Sequence, residues 1–336
     1  MMLDDLQEQA CWLLLVFESG LTIRIVNDIL VLWCKQLGRT LQDFFAADAQ
    51  EWSTTCHLKP DIIQKLALAK EKLVAQSFLV EQLQHEHIHL ISVLNPAYPS
   101  LLKSSLGRSH IPPVLFFMGD LELLARQTIA IIGSRNAGES SLAFTRMVAQ
   151  YLSQQGANVI SGNARGVDRT AYEGATSTSD GYTTLVLPHG IHKLSKTQMR
   201  DLQPRIEAGN VLLLSQFHPD AQWVVSRAME RNHVVTGLAQ VVIVAESDSK
   251  GGTWEGANGA LKQGRRVYVR QSDDVTLLPG NGLLLEKGCH PLAWPTSTIA
   301  DMLAPVLYES NLVCEKQQVA SPLPDQLSLL TVAKQE

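Results

Sequence analysis

The sequence predicts an α/β protein, a doubly wound and mainly parallel sheet preceded by a small helical domain. Six short apolar runs, near 128–132, 157–161, 183–187, 211–215, 240–245 and 266–270, alternate with stretches of helical periodicity. The runs have mainly apolar centres and no strict apolar/polar alternation, as expected of strands buried on both faces of a parallel sheet. The intervening helical patterns fall near 139–155, 167–177, 196–208, 221–232 and 253–263. Right-handed crossovers through such helices place the loops after the strands on one edge of the sheet, where α/β proteins bind ligands.

A chain of 336 residues has room for about two domains with a sizeable core. Residues 1–86 read as the helical domain. Leu13, Leu14, Val16 and Phe17 precede a stop at Ser19-Gly20, and Ile23 to Leu32 form a second helix. A shorter helix is expected over about 39–48, and one long helix after Pro60 carries Ile62, Leu66, Leu73 and Val74. Residues 87–127 read as a lead-in strand (Ile88, Leu90, Ile91, Val93) and a linker, since proline pairs at Pro96/Pro99 and Pro112-Pro113 punctuate it. Residues 128–300 form the α/β domain. The segment 301–336, rich in Gln, Pro and Ser toward its end, is expected to be a partly disordered tail.

The net charge of −5 gives no global attraction for a polyanion, so any such site must be a local basic pocket. The five cysteines are scattered without a C-x-x-C pair, which points to reduced thiols and a cytoplasmic protein. Asp4, Asp5 and Glu8 in residues 1–16 disfavour a secretory leader. No apolar run approaches membrane-spanning length, so no membrane association is expected.

The candidate site residues lie in the strand-end loops. The first run ends in Gly133-Ser134-Arg135-Asn136-Ala137-Gly138 before a helix, a tight turn whose free N–H groups make it a candidate phosphate cradle. The spacing lacks the Gly-Lys-Ser/Thr of a nucleoside-triphosphatase loop and the third glycine of the dinucleotide fingerprint. The second run ends in Ser161-Gly162-Asn163-Ala164-Arg165-Gly166, again a glycine-flanked turn with a cation, and Asp168 is a candidate cap for the next helix. Arg227 and Arg231, four residues apart, share a helix face, and Asn232 follows. Lys250-Gly251-Gly252-Thr253 opens the helix after the fifth run as a second candidate nest for phosphate, and Lys193 and Lys196 supply cations after the third. No Ser-His-Asp, Cys-His or His-Glu-x-x-His set is present, so the chain reads as a binding protein without catalytic residues, metal or cofactor.

Gly133-Ser134-Arg135, Ser161-Gly162-x-Ala164-Arg165-Gly166-Val167-Asp168, and Arg231-Asn232 with Gly237 resemble the DNA-processing protein A (DprA/Smf) family. Tyr98-Pro99, Pro112-Pro113-x-Leu115-Phe116 and Gly119-Asp120 fit the lead-in of the same family. The resemblance covers roughly residues 88–290 and implies a Rossmann-like domain holding single-stranded DNA in a basic pocket. It also implies a homodimer that hands the strand to a RecA-type recombinase during DNA uptake and recombination. Carried over, the pocket uses Gly133, Ser134, Arg135, Ser161, Gly162, Arg165, Arg231 and Asn232, with Lys193 or Lys196 as a loose counterpart of the family's lysine. The chain departs from the family where Gln216 replaces a glutamate and Tyr172 a histidine. Gly251-Gly252-Thr253-Trp254-Glu255 resembles the loop of related nucleotide-binding proteins, including phosphoribohydrolases. That leaves a nucleotide sensor or enzyme as an alternative, beside a component of phage defence.

Overall fold

The computed structural model describes residues 5–272 and 279–320, with side chains to 313. Two compact units divide the chain. The first comprises residues up to Tyr98 together with Leu106–Phe117, and the second Pro99–Ser105 with Met118 onward.

Among its described residues the first unit holds six α-helices, α1 (Leu6–Leu13), α2 (Ile23–Ile29), α3 (Leu41–Ala46), α4 (Ala49–Thr55), α5 (Pro60–Lys70) and α6 (Leu73–His85). Its core is aromatic. Phe44 takes Trp33 edge-on at 5.3 Å and Trp52 at 5.5 Å, and both indole N–H groups donate to carbonyls, Thr40 O and Phe44 O, at 2.8 Å. Glu8 reaches from α1 to accept the N–H groups of Leu41 and Gln42, placing an anion at the start of α3.

The single long helix expected after Pro60 is broken at Glu71–Lys72. One straight helix to His85 would run about 39 Å, longer than so small a core. The break folds Val80 and Leu83 back into the interior, and α6 packs along α1.

Residues 87–127 are less of a linker than the prolines suggest. Strands β1 (His89–Ser92) and β2 (Val114–Met118) pair antiparallel, His89 opposite Phe117 and Ser92 opposite Val114. The prolines flank the strands. Tyr98 is buried, and its hydroxyl donates to Pro112 O at 2.8 Å. A run as apolar as Val114-Leu115-Phe116-Phe117 is all buried, which outweighs the proline pair before it.

In the second unit the strands β3 (Thr128–Ile132), β4 (Asn158–Ser161), β5 (Tyr182–Val186), β6 (Val211–Ser215), β7 (Val241–Val244), β8 (Arg266–Gln271) and β9 (His290–Ala293) lie in the order 6-5-4-3-7-8-9. All pairings among them are parallel, with Ile129 opposite Val241 and Thr128 opposite Asn158. The sheet is Rossmann-like and doubly wound. The chain steps outward from β3 to β6, then returns to β7 on the other side of β3. The strand order therefore reverses between β3 and β7, and the crevice at the carboxyl ends there is the customary ligand position of such sheets.

The helices of this unit are α7 (Ser100–Ser105), α8 (Glu139–Gln154), α9 (Val167–Ala175), α10 (Lys196–Glu207), α11 (Val225–Leu238), α12 (Gly252–Lys262), α13 (Gly280–Glu286) and α14 (Ile299–Ala320). Ile129, Ile131, Val241 and Ile243 face one way, against Phe144, Val148, Ala171, Leu303 and Val306. Ile132 faces the other way, toward Gly256 of α12. The period-2 alternation of buried strands thus separates two apolar layers.

The segment 301–320 continues α14, where the sequence predicts a tail. Leu303 and Val306 are buried, so a single helical stripe suffices to hold it. The part of the tail from 321 onward lies outside the described residues. Helix α11 extends six residues beyond the expected 221–232, through Val234 and Val235, which are also buried.

Candidate functional site

The carboxyl ends of β3, β4 and β7, one face of α11 and the start of α12 enclose a cavity of about 400 Å³. Of the sequence-predicted site residues, Gly133, Ser134, Arg135, Asn136, Gly162, Arg231, Asn232, Gly251, Gly252 and Thr253 line it. Asp168, Asp248 and Lys250 join them, so three cations and two carboxylates face the cavity. Ser161, Arg165, Lys193 and Arg227 are not in its wall.

The two strand-end turns are locked together. Val167 N donates to Ser134 O at 3.2 Å, and the Arg165 side chain donates to Arg135 O at 3.3 Å and to the Asn136 amide oxygen. Gly166 is the hinge of this contact. Its φ of +82° is open mainly to glycine, and a Cβ there would overlap the backbone of Ser134 and Arg135. Arg165 accordingly clamps the first turn in place. Asn163 adopts a left-handed conformation at φ +54° between them.

The cradle expected at the start of α8 is occupied by the protein itself. The Glu246 carboxylate, at the end of β7, accepts from Gly138 N at 3.2 Å and from the Ser141 hydroxyl. Arg270, buried on β8, donates to Ser141 Oγ and Ser140 Oγ at 2.7 Å each. Ser134 N is bonded to Glu246 O at 2.9 Å as well. An internal carboxylate therefore answers the positive helix end that a phosphate would otherwise meet.

The second nest is open. Gly251, at φ +88° and ψ −170°, precedes helix α12, and no side chain caps the first N–H groups of the helix. These groups stand at the cavity wall beside the exposed Lys250. Asn232 Nδ2 donates to Gly252 O at 3.1 Å and fixes this turn against α11.

Arg231 is not a solvated rim cation. It is 3% exposed, and its Nη1 donates to Val186 O at 2.6 Å while Nε has no hydrogen-bond partner. Burial pushes its pKa down, and the nearby Asp168 carboxylate opposes that. Burial likewise raises the Asp168 carboxyl, against the field of Arg231 and a bond from Ala164 N at 3.4 Å. Asp168 does not cap α9, whose N-terminal flanking residue is Gly166. It serves as counter-charge to Arg231.

Arg227 and Arg231, four residues apart on α11 as expected, differ in burial, since Arg227 lies in the first turn and Arg231 in the buried middle of the helix. Arg227 Nη1 instead donates to Gln222 O at 2.6 Å. Lys193 pairs with Asp220 at 3.7 Å. Ser161 is buried, and its hydroxyl donates to Asp168 O at 3.1 Å. Glu246 and Trp223 were not among the residues predicted for the site, and Asp168 was predicted as a helix cap and not as a counter-charge. Trp223 stands 46% exposed with its ring 5.6 Å from the Arg135 guanidinium carbon. Among the described residues, no cluster of His, Cys, Asp and Glu could hold a metal ion, and no helix is long and apolar enough to cross a membrane.

Residues 89–304 match the sequence profile of the family described as DNA recombination-mediator protein A. The protein Smf of Escherichia coli is 28% identical over 204 residues, covering 61% of this chain and 53% of that protein. The DNA processing protein DprA of Streptococcus pneumoniae is 30% identical over 202 residues, covering 60% and 67%. The chain thus spans between about half and two thirds of these two relatives. The crystal structure of the S. pneumoniae DprA superposes with a TM-score of 0.64 at 23% identity, covering 88% of this chain and 97% of that one. DNA processing protein A of Helicobacter pylori, in a structure described for its single-stranded DNA binding mode, gives 0.55 at 27% identity, covering 66% and 96%.

Proposed function

The chain belongs to the DNA recombination-mediator protein A family, and from that premise we propose that it binds single-stranded DNA across the cavity at the β3–β7 switch point. The observation that carries the reading is the convergence of Arg135, Lys250 and the uncapped start of α12 on one cavity wall. Guanidinium, ammonium and backbone N–H groups neutralise phosphates and position a strand without reading its bases. The relative described as binding single-stranded DNA supports the same ligand class. On this reading the protein acts without catalysis in DNA processing and uptake, as a cytoplasmic homodimer that delivers the strand to a RecA-type recombinase. Phosphate contacts come from Arg135, Asn136, Lys250, Gly251, Gly252 and Thr253, while Gly133, Ser134, Gly162 and Asn232 shape the turns that present them and Arg231 acts through its charge.

The test is fluorescence anisotropy with single-stranded DNA, duplex DNA and RNA of one sequence across a salt series. Preferential binding of the single strand, weakening as salt rises, is the expected result. Equal or absent binding overturns the proposal.

A second reading is favoured by the open α12 nest and the unpartnered Arg231 Nε, which suit a compact phosphate such as that of a mononucleotide. It predicts a rise in Tm with a mononucleotide at micromolar concentration and no further rise with an oligonucleotide.

A further inference from the structure

We propose that Trp223 is a stacking platform on which a nucleobase rests beside Arg135, so that the site holds bases as well as phosphates. The inference rests on the single-strand reading above and adds a ligand group to it.

Trp223 belongs to the loop before α11, where Trp223, Val224 and Val225 are 46%, 40% and 65% exposed. Three consecutive large apolar side chains facing water are costly, and Val225 itself lines the cavity. The loop does not swing freely. Gly190 N donates to Ala221 O at 2.9 Å, Ala221 N to His218 O at 2.8 Å, and the Arg227 guanidinium holds Gln222 O at 2.6 Å. The backbone immediately before Trp223 is therefore pinned from two elements while its side chain stays open. A pre-set aromatic surface loses little entropy on receiving a ligand.

Arg135 joins this surface to the cavity. Its guanidinium carbon lies 5.6 Å from the indole centroid, within range of a cation–π contact, and the same residue lines the cavity. A phosphate held by Arg135 would lie beside the indole, so a neighbouring base of the same strand could reach its face. Every base has a flat π-face, so stacking on tryptophan adds affinity without selecting sequence. Arg135 can hold a phosphate while it orients the ring.

Anisotropy with a labelled oligothymidylate and an abasic strand of equal length tests the proposal on the full chain at low salt. Trp223→Ala is expected to weaken oligothymidylate binding about tenfold, to leave abasic binding unchanged, and to be largely rescued by Trp223→Phe. The side chain is exposed, so the substitution does not disturb a core. Equal affinity of Trp223→Ala and the unsubstituted protein for oligothymidylate overturns stacking alone. An equal loss on the abasic strand overturns it too, since the residue then acts only through Arg135. Failure of the unsubstituted protein to bind either strand overturns the single-strand reading itself.

Discussion

The Asp168 carboxylate and the Arg231 guanidinium lie together against Gly162, so closely that a methyl group on that glycine would overlap both. Gly162 opens the turn after β4, Asp168 lies in the first turn of α9 and Arg231 sits midway along α11. Three elements therefore converge on one charge pair behind the cavity. Each charge offsets the burial of the other, and the Val186 carbonyl accepts a hydrogen bond from Arg231.

Removing the acid from that pair strands the guanidinium. Asp168→Ala is expected to lower the unfolding free energy by about 2 kcal/mol, short of the range for a fully buried pair because Asp168 is partly exposed. Asp168→Ala combined with Arg231→Met is expected to cost less than the two single changes added together. Urea denaturation of the four proteins measures this, and additivity would show that the two groups do not depend on each other.

Glu246 holds the first turn shut from the far side of the β3–β7 boundary. Glu246→Gln keeps its size but weakens the bonds to Gly138 N and Ser141 and removes the charge at the start of α8. The expected loss is about 1 kcal/mol of stability, with faster hydrogen exchange confined to residues 133–141. Unchanged exchange there would mean that the carboxylate does not secure the turn.

The alternation of apolar runs and helical stretches was enough to place β3 to β8, because strands buried on both faces leave an unmistakable signal. Arg135 and the Gly251-Gly252 turn were legible for the same reason, since each sits at a strand end whose position is fixed by the run before it. Arg231 was legible as a pocket residue, but its burial was not. The end of α11, six residues past the expected one, was not legible either, because a helix boundary is the weakest part of a periodicity argument. Glu246 was hidden differently, because its partners Gly138 and Ser141 are over a hundred residues away. Strand β9 contains Pro291, which reads as a breaker and is tolerated only because the strand lies at the sheet edge.

The first unit carries a pH dependence of its own. Burial, reinforced by the nearby Glu8, pushes the Cys11 and Cys34 thiols from 9.0 up to about 12. A thiol raised in this way keeps its proton in the folded chain after the unfolded chain has lost it. Its contribution to stability is complete below pH 9 and declines as the pH climbs toward 12. Iodoacetamide at mildly alkaline pH should therefore label Cys11 and Cys34 slowly in the native protein and rapidly in urea. Equal rates, read by peptide mass spectrometry, would show that the thiols are not held protonated.

Arg135 is the exposed cation of the site, and the proposed function makes a quantitative demand on it. Each phosphate neutralised on a single strand contributes about −0.7 to the slope of log affinity against log salt. Arg135→Ala is therefore expected to make that slope shallower by about 0.7 and to weaken binding to homopolymers of each base by a similar factor. Two features of the structure separate this from a folding effect. The Arg135 side chain is exposed, and the contacts that hold its turn, from Val167 N and the Arg165 side chain, go to the backbone of Ser134 and Arg135 and to Asn136. The alanine variant keeps that backbone and should unfold at the same urea concentration as the unsubstituted protein. An unchanged salt slope with unchanged stability would move the phosphate contacts away from β3 and toward the α12 nest, where Lys250→Ala would then carry the loss.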